Sequence, residues 1–208
     1  MYDHLVEIGL KNYLDSYFFN QTWIVEDYLQ KLDLYVSTLP VEQQKILRLK
    51  YSSNRDHLQQ NDLLHELLVA SVFHPNGSFI HETTSEKSAD ILDGSIRIEI
   101  KTINASPTEV ERVKIMDPGT VRTMVPRDDY YEDRIRRKFR LRIDKAVEQL
   151  SGSGLVYLVW DSDLTGNWSD RKERIEKLFT ELVAAEENLH PNLIIKSIYF
   201  GDLRERLN

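Results

Sequence analysis

Apolar positions in the first 60 residues recur at helical spacing. Three stretches carry apolar residues three and four positions apart: "LVEIGLKNYLDSYF", "TWIVEDYLQKLDLYV" and "LPVEQQKILRLKY". The third restarts after Ser37 and Thr38 with Pro40 in its first turn, a position that proline favours. We expect residues 1–60 to form a helical appendage that serves packing and contact with a partner or substrate, without chemistry of its own.

From Asn61 the pattern predicts helices and strands in turn. A helix, "NDLLHELLVASVF", is followed by the turn "HPNGS" and by three short strands at 79–82, 88–92 and 95–101. Residues 102–132 contain three prolines and no sustained period, which predicts a long loop or lid. The α/β pattern continues with a basic helix at 133–150, an apolar strand at 154–160, a charged helix at 170–187 and a strand, "LIIKSIYF".

The stretch "SADILDGSIRIEIK" reads as a hairpin. Asp93-Gly94 between alternating runs indicates a two-residue type I′ turn, which would pair Asp90 with Arg97 and Ser88 with Glu99. Side chains alternate along a strand, so two faces result. The predicted polar face holds Ser88, Asp90, Arg97, Glu99 and Lys101. The predicted core face holds Ala89, Ile91, Ile96, Ile98 and Ile100.

The polar face of this hairpin has two interpretations. In the predicted register Asp90 is the diagonal neighbour of Glu99, with backbones roughly 7 Å apart, so their carboxylates could converge on one ion. Mg²⁺ accepts such carboxylates together with waters and phosphate oxygens, and Lys101 projects the same way. The alternative is a solvated strand face, where ion pairs between neighbouring side chains contribute little.

Glu66 is the second candidate site residue. Its helical neighbours are mostly apolar, and a carboxylate among them is costly unless it meets a cation or hydrogen-bond donors. The alternatives are a helix end at the surface and a bond to a neighbouring backbone group. His65-Glu66 does not begin a zinc-protease motif, because that motif needs histidine where the chain has Val69. Turn or surface roles are expected for His74 and His81.

Composition narrows the class of protein. The 208 residues include no cysteine, which excludes disulfides and thiolate metal sites and favours a reducing cytoplasm. The N-terminus lacks the pattern of a secretory signal, and the longest apolar stretch, Leu155 to Trp160, is far shorter than the roughly 20 residues that span a bilayer. We expect a soluble, cytoplasmic protein with no membrane partner.

Charge is concentrated on one predicted helix. The net charge of −7 argues against a general nucleic-acid coat, yet residues 134–145 hold seven Lys or Arg and one acid. The predicted buried stripe of this helix is Ile135, Phe139, Ile143, Ala146 and Leu150. A neighbouring line is formed by Lys138, Arg142, Lys145 and Gln149. Such a line can track phosphates, and the alternative is a solvated helix face.

These residues together resemble a known family. Their order is similar to that of the PD-(D/E)xK phosphodiesterases. It consists of a helix with an inward Glu66, strands that carry Asp90, Glu99 and Lys101 as Asp-x8-Glu-x-Lys, and then a helix and a strand. The resemblance covers about residues 61–160, and Ala89 stands where the family's name has proline. It implies a restriction-endonuclease-like core over 61–208, with a mixed central sheet flanked by helices.

The resemblance also implies roles. Asp90 and Glu99 would bind Mg²⁺, for which Mn²⁺ could substitute, and the backbone carbonyl of Ile100 would be a further ligand. Lys101 would orient or activate the attacking water. Glu66 would complete the site through a second metal ion or a metal-bound water.

The expected function is a Mg²⁺-dependent nuclease that hydrolyses phosphodiester bonds, with DNA favoured over RNA, of a restriction, defence or repair type. Lys145 and Gln149 fall on the helix where some family members place substrate or active-site contacts. The alternative is a catalytically inactive module of the same fold that binds nucleic acid or a protein. RNA-directed or structure-specific cleavage differs only in substrate. A double-strand cut would need two active sites, which a homodimer supplies.

Overall fold

The N-terminal part of the chain is helical, as predicted. The computed structural model describes residues 2–10, 26–53, 57–80, 89–103, 128–160 and 169–207. Short helical segments at Asp3–Leu5 and Val6–Leu10 are followed by helix α1 (Glu26–Thr38) and helix α2 (Val41–Ser53). Pro40 immediately precedes α2, and its carbonyl accepts bonds from the amides of Gln43 and Gln44. The predicted helical residues 11–25 lie outside the described residues.

The rest of the chain forms an α/β structure around a five-stranded sheet. In chain order the elements are α3 (His57–Phe73), β1 (Ser78–Phe79), β2 (Ile91–Asp93), β3 (Ile96–Ile103), α4 (Asp128–Leu150), β4 (Gly154–Trp160), α5 (Ser169–Leu189), β5 (Leu193–Tyr199) and α6 (Phe200–Leu207). The strands lie in the order β1-β2-β3-β4-β5. The first three are antiparallel neighbours, and β4 and β5 continue the sheet in parallel. The predicted mixed sheet flanked by helices is confirmed.

The boundaries of several helices and strands differ from those predicted. The strand expected at 79–82 is β1, which begins one residue earlier, and residues 81–88 lie outside the described residues. Of the lid expected at 102–132, the first two residues belong to β3 and the last five to α4, while 104–127 are outside the described residues. Helix α6 was not predicted. Its glycine at 201 lowers helical propensity, but burial of Phe200 and Leu203 at a spacing of three holds it.

Helices cover both faces of the sheet, so two buried clusters form. Helices α1, α2, α3 and α6 pack on one face, against residues that include Ile98 and Ile100. Helices α4 and α5 pack on the other, against residues that include Ile103 and Trp160. Strand β4 is buried from Leu155 to Trp160, which explains its continuous apolar run. The buried stripe predicted for α4 is confirmed at all five positions.

The predicted register of the hairpin is wrong by two residues. The pairs are Asp93 with Ile96, Leu92 with Arg97 and Ile91 with Ile98, so the turn residues are Gly94 and Ser95. Gly94 has a φ of 59°, and a glycine at the first turn position suits a type II′ turn, which leaves the preceding residue in its strand. A shift of two preserves the faces, because side chains alternate with a period of two.

The core face of the hairpin also differs from the prediction. Ile91, Ile98 and Ile100 are buried there as predicted. Ala89, however, is buried in the cluster under α4, and Ile96 beside the turn is half exposed. Ala89 precedes β2, so the alternation of the strand does not govern its direction.

A buried histidine holds Asp93 away from the turn. Nδ1 of His74 lies 2.7 Å from Oδ2 of Asp93, and Nε2 lies 3.0 Å from the hydroxyl of Tyr157. The His74 side chain is therefore buried between α3 and the sheet, so the surface alternative is wrong, while its carbonyl accepts a bond from the amide of Gly77 in the turn after α3, as the turn alternative expected. His81 lies outside the described residues. The bond to His74 gives a second physical reason, beside the glycine at 94, for the observed register.

Candidate active site

Strand β3 places Glu99 and Lys101 on one face, toward α4. Glu99 is fully buried, and the Lys101 ammonium donates to its Oε1. The same ammonium donates to Oε1 of Gln149 on α4, at 2.6 Å. Lys101 is therefore held between its own strand and the helix. This places three of the predicted site residues in direct contact.

Asp90 lies at the entrance to β2 and is fixed against β3. Its backbone amide donates to the carbonyl of Ile98, and its Oδ2 accepts a 2.8 Å bond from the amide of Ile100. These two bonds fall on either side of Glu99 in sequence, so Asp90 lies beside that residue. The contact at Ile100 is made by its amide, and the role expected for its carbonyl stays a prediction.

Glu66 projects from α3 into the same region, where it meets a lysine. Its Oε2 accepts a 2.8 Å bond from Nζ of Lys50 on α2, and the same Nζ lies 3.5 Å from Oδ1 of Asp90. The side chains of Lys50 and Glu66 are each only 12% exposed. Glu66 is buried as predicted, and the cation that offsets its burial comes from the N-terminal helices.

Burial and mutual repulsion set the charge of the site. Burial, and next the nearby Asp90, raise the pKa of Glu99 to about 8 although Lys101 opposes the change. The same two causes raise the pKa of Glu66 to about 7, against the opposing charge of Lys50. The three carboxylates attract Lys50 strongly enough to raise its pKa despite its burial. The site therefore has a deficit of positive charge when its carboxylates are ionised.

The residues present fit a hard cation. Three carboxylates face two ammonium groups, and Oε2 of Glu99 is buried without a hydrogen-bond partner in the described part of the chain. Such an atom is costly to bury unless something binds it, and carboxylate oxygens are the ligands that Mg²⁺ prefers. As the side chains stand, however, no three acidic or histidine residues among those described are grouped as ligands of one ion.

Lys50 is a site residue that the sequence patterns did not predict. It follows Leu47 by three positions and precedes Tyr51, both of which are buried, so it lies at the edge of the buried stripe of α2. That position was a readable signal of partial burial. It gave no indication of chemistry, because the carboxylates that Lys50 binds are 16 and 40 positions further along the chain.

A neutral histidine lies directly behind the site. Burial lowers the pKa of His65 to about 3. Its Nδ1 shares a 3.0 Å hydrogen bond with the hydroxyl of Thr102, and its Nε2 has no partner in the described part of the chain. His65 precedes Glu66 and Thr102 follows Lys101, so this bond joins α3 to β3 beside both site residues.

The predicted basic line runs along α4 away from the site. Of its four residues, Gln149 contacts a site residue, Lys101. Lys138 and Arg142 are half-buried and Lys145 is exposed. Arg97 of β3 donates to the carbonyls of Gln149 and Leu150, which fixes the C-terminal end of α4 against the hairpin. At 1.5 Å per residue, the line reaches roughly 17 Å from Gln149 to Lys138.

Comparisons of this chain with protein-family models, with curated proteins and with solved structures found no match. No helix within the described ranges combines the length and apolar character needed to cross a membrane.

Proposed function

We propose that this chain is a Mg²⁺-dependent nuclease of the PD-(D/E)xK type that hydrolyses phosphodiester bonds, with DNA as the expected substrate. The observation that carries the proposal is the convergence of Glu66, Asp90, Glu99 and Lys101 from three separate elements. Their chemistry is that of a hard-cation site beside a general acid or base. The sequence pattern singled out these four residues, and their position in one buried cluster supports a shared role in one site.

The order of elements adds support. Helix α3 supplies Glu66, the antiparallel hairpin β2–β3 supplies Asp90, Glu99 and Lys101, and α4 then crosses to the parallel strand β4. This is the order on which the resemblance to a restriction-endonuclease-like core rests. Asp90 is bonded to Ile98 and Ile100, on either side of Glu99 in sequence, and its charge raises the pKa of the Glu99 carboxyl.

The chain's own residues have distinct roles in this proposal. Asp90 and Glu99 would hold the ion, with Glu66 at the far side of Asp90. The ion, when bound, would make a coordinated water more acidic and offset charge on the phosphate. The Lys101 ammonium, fixed by Glu99 and Gln149, would orient the attacking water and donate to a phosphate oxygen.

The basic line provides a path for the substrate. Lys138, Arg142 and Lys145 share one side of α4 with Gln149, which contacts the site. A nucleic-acid backbone lying along this line would reach the site at the end of the helix. Phosphate contacts of this kind position a substrate without reading its sequence.

A second candidate function is supported by the lysines. Lys50 binds Glu66 and Asp90, and Lys101 binds Glu99, so each carboxylate already has a cationic partner. A site balanced in this way could be retained for structure in a catalytically inactive module that binds nucleic acid or a protein. Tight, metal-independent binding of nucleic acid with no cleavage would identify this module.

Cleavage assays decide between the two functions. The purified chain is incubated with duplex, branched and single-stranded DNA and RNA in Mg²⁺ or Mn²⁺, beside Asp90→Ala and Lys101→Ala variants. The proposal predicts metal-dependent cleavage of at least one DNA substrate that both variants lose. Cleavage that persists at full rate in both variants, or no cleavage of any substrate by the unmodified chain, would contradict it.

A further inference from the structure

The ammonium of Lys50 occupies the space between Glu66 and Asp90. It lies 2.8 Å from a carboxylate oxygen of the first and 3.5 Å from a carboxylate oxygen of the second. These two acids are the pair that would hold a second metal ion. We propose that Lys50 takes the place of that second ion, so that the site binds a single divalent cation, beside Asp90 and Glu99. The inference rests on the proposed metal dependence of the site.

The geometry favours one ion over two. An ion between Glu66 and Asp90 would need the position that Nζ of Lys50 now holds, because both acids face that atom. Oε2 of Glu99, by contrast, is buried and unbonded among the described residues, so it can accept an ion without losing a partner. The two halves of the site therefore differ: one is filled by a lysine, and the other has an unused oxygen.

The positive charge of Lys50 also favours one bound ion over two. A second divalent ion would lie within a few ångströms of the Lys50 ammonium, in a setting where buried charges are weakly screened. The Lys50 side chain is itself largely buried, so it cannot turn into water without breaking its contacts with Glu66 and Asp90. A second Mg²⁺ would have to lose part of its hydration shell, which Mg²⁺ does reluctantly. Lys50 supplies a positive charge at the same place without that cost.

Glu66 then has a more defined role than the sequence allowed. The resemblance left open whether it acts through a second metal ion or through a metal-bound water. With Lys50 in place, Glu66 instead holds the ammonium that faces Oδ1 of Asp90. Lys50 and Glu66 are positioning residues in this account, and they make the first metal site depend on helix α2.

Calorimetric titration of the full chain with Mn²⁺ counts the ions. The variant Lys50→Met removes the ammonium and keeps an unbranched side chain one atom shorter, whereas Lys50→Gln is shorter still but keeps a neutral hydrogen-bond donor. Lys45→Met is the matched control, because Lys45 is on the same helix, is exposed and pairs only at the surface with Glu42. Circular dichroism establishes that each variant is folded, and the glutamine variant gives the result if the methionine variant does not fold.

We expect one Mn²⁺ per chain for the unmodified protein and for Lys45→Met, and two for the neutral Lys50 variants. Adding Glu66→Gln to a neutral Lys50 variant should return the count to one. Two ions in the unmodified protein, or one ion in the neutral Lys50 variants, would overturn the inference while leaving the nuclease proposal intact. No ion in the unmodified protein would overturn both.

Discussion

Nζ of Lys50 lies 2.8 Å from Oε2 of Glu66, and this contact ties helix α2 to the candidate active site. Both side chains are largely buried, so the pair is more than a surface ion pair. Removal of Lys50 would leave Glu66 buried without its cation, whereas removal of Glu66 would leave Lys50 with Asp90 as its remaining carboxylate contact on this side of the site. The helices expected to serve packing and contact with a partner or substrate therefore also contribute a charged group to the site.

Gln149 should position Lys101 for the reaction. Replacing it by leucine removes the 2.6 Å bond to the Lys101 ammonium and leaves the bond to Glu99. A hydrogen bond to a charged group contributes about 1.5–3 kcal/mol, so we expect single-turnover cleavage to slow by roughly 10- to 100-fold. Metal affinity should not change. The exposed Asp144→Asn on the same helix is the control, and equal cleavage rates for Gln149→Leu and this control would refute the role.

The stability of the metal-free protein should fall as pH rises through neutrality. The raised pKa values of Glu66 and Glu99, about 7 and 8, mean that the folded chain keeps protons that the unfolded chain has released above about pH 4.5. The folded state therefore binds more protons in this window, and its stability decreases until both groups are ionised. His65 acts oppositely below about pH 6.5, where only the unfolded chain protonates it.

Urea unfolding in a chelating buffer measures this dependence. We expect the free energy of unfolding to decline between pH 6.5 and about 8.5, and Glu99→Gln, which cannot ionise, to reduce the decline. A free energy of unfolding that rises steadily over the same range would show that the site is not short of positive charge.

The bond between His65 and Thr102 should behave as a coupled buried pair. Thr102→Val removes the hydrogen-bond partner that the imidazole has among the described residues and should destabilise the fold by about 1–3 kcal/mol. Replacing both residues, as His65→Leu with Thr102→Val, should cost less than the sum of the single changes. A double-mutant cycle by urea unfolding checks this, and strictly additive costs would show that the two side chains do not interact.

The basic line should determine how salt affects nucleic-acid binding. Each phosphate contact contributes a slope of about −0.9 to the dependence of log affinity on log salt for duplex DNA. Arg142→Gln and Lys145→Gln should each lower the magnitude of that slope by roughly this amount, when binding is measured by fluorescence anisotropy without a divalent ion. The exposed Lys177→Gln on α5 should leave it unchanged. Identical slopes for all three variants would place the substrate elsewhere.

Local patterns predicted most of the fold. Periodicity located the helices and strands from Asn61 onwards and the buried stripe of α4, because each depends on residues near one another in sequence. The hairpin register was wrong because two adjacent turn signals compete. Asp93-Gly94 and Gly94-Ser95 both suit tight turns, and the contact of Asp93 with His74, 19 positions away, favours the second.

The candidate site was predictable in its three acids and in Lys101, and not in its second cation, Lys50. Asp90, Glu99 and Lys101 share a face through alternation, and Glu66 is conspicuous on an apolar helix. Lys50 has no such local signal, because its role depends on how α2 packs against α3 and the sheet. Long-range packing also determines the burial of His65 and of His74, which sequence patterns leave open.

That the chain is a Mg²⁺-dependent nuclease whose ion is held by Glu99 is tested most directly by comparing the rates at which the unmodified chain and Glu99→Gln cleave a DNA substrate in Mg²⁺. Glutamine keeps the size of the side chain and removes the charge that would hold the ion. We predict metal-dependent cleavage by the unmodified chain that a chelator abolishes, and a loss of at least about 100-fold in Glu99→Gln, as expected when transition-state charge stabilisation is removed. Equal cleavage by the two proteins, or cleavage that a chelator does not affect, would contradict the account.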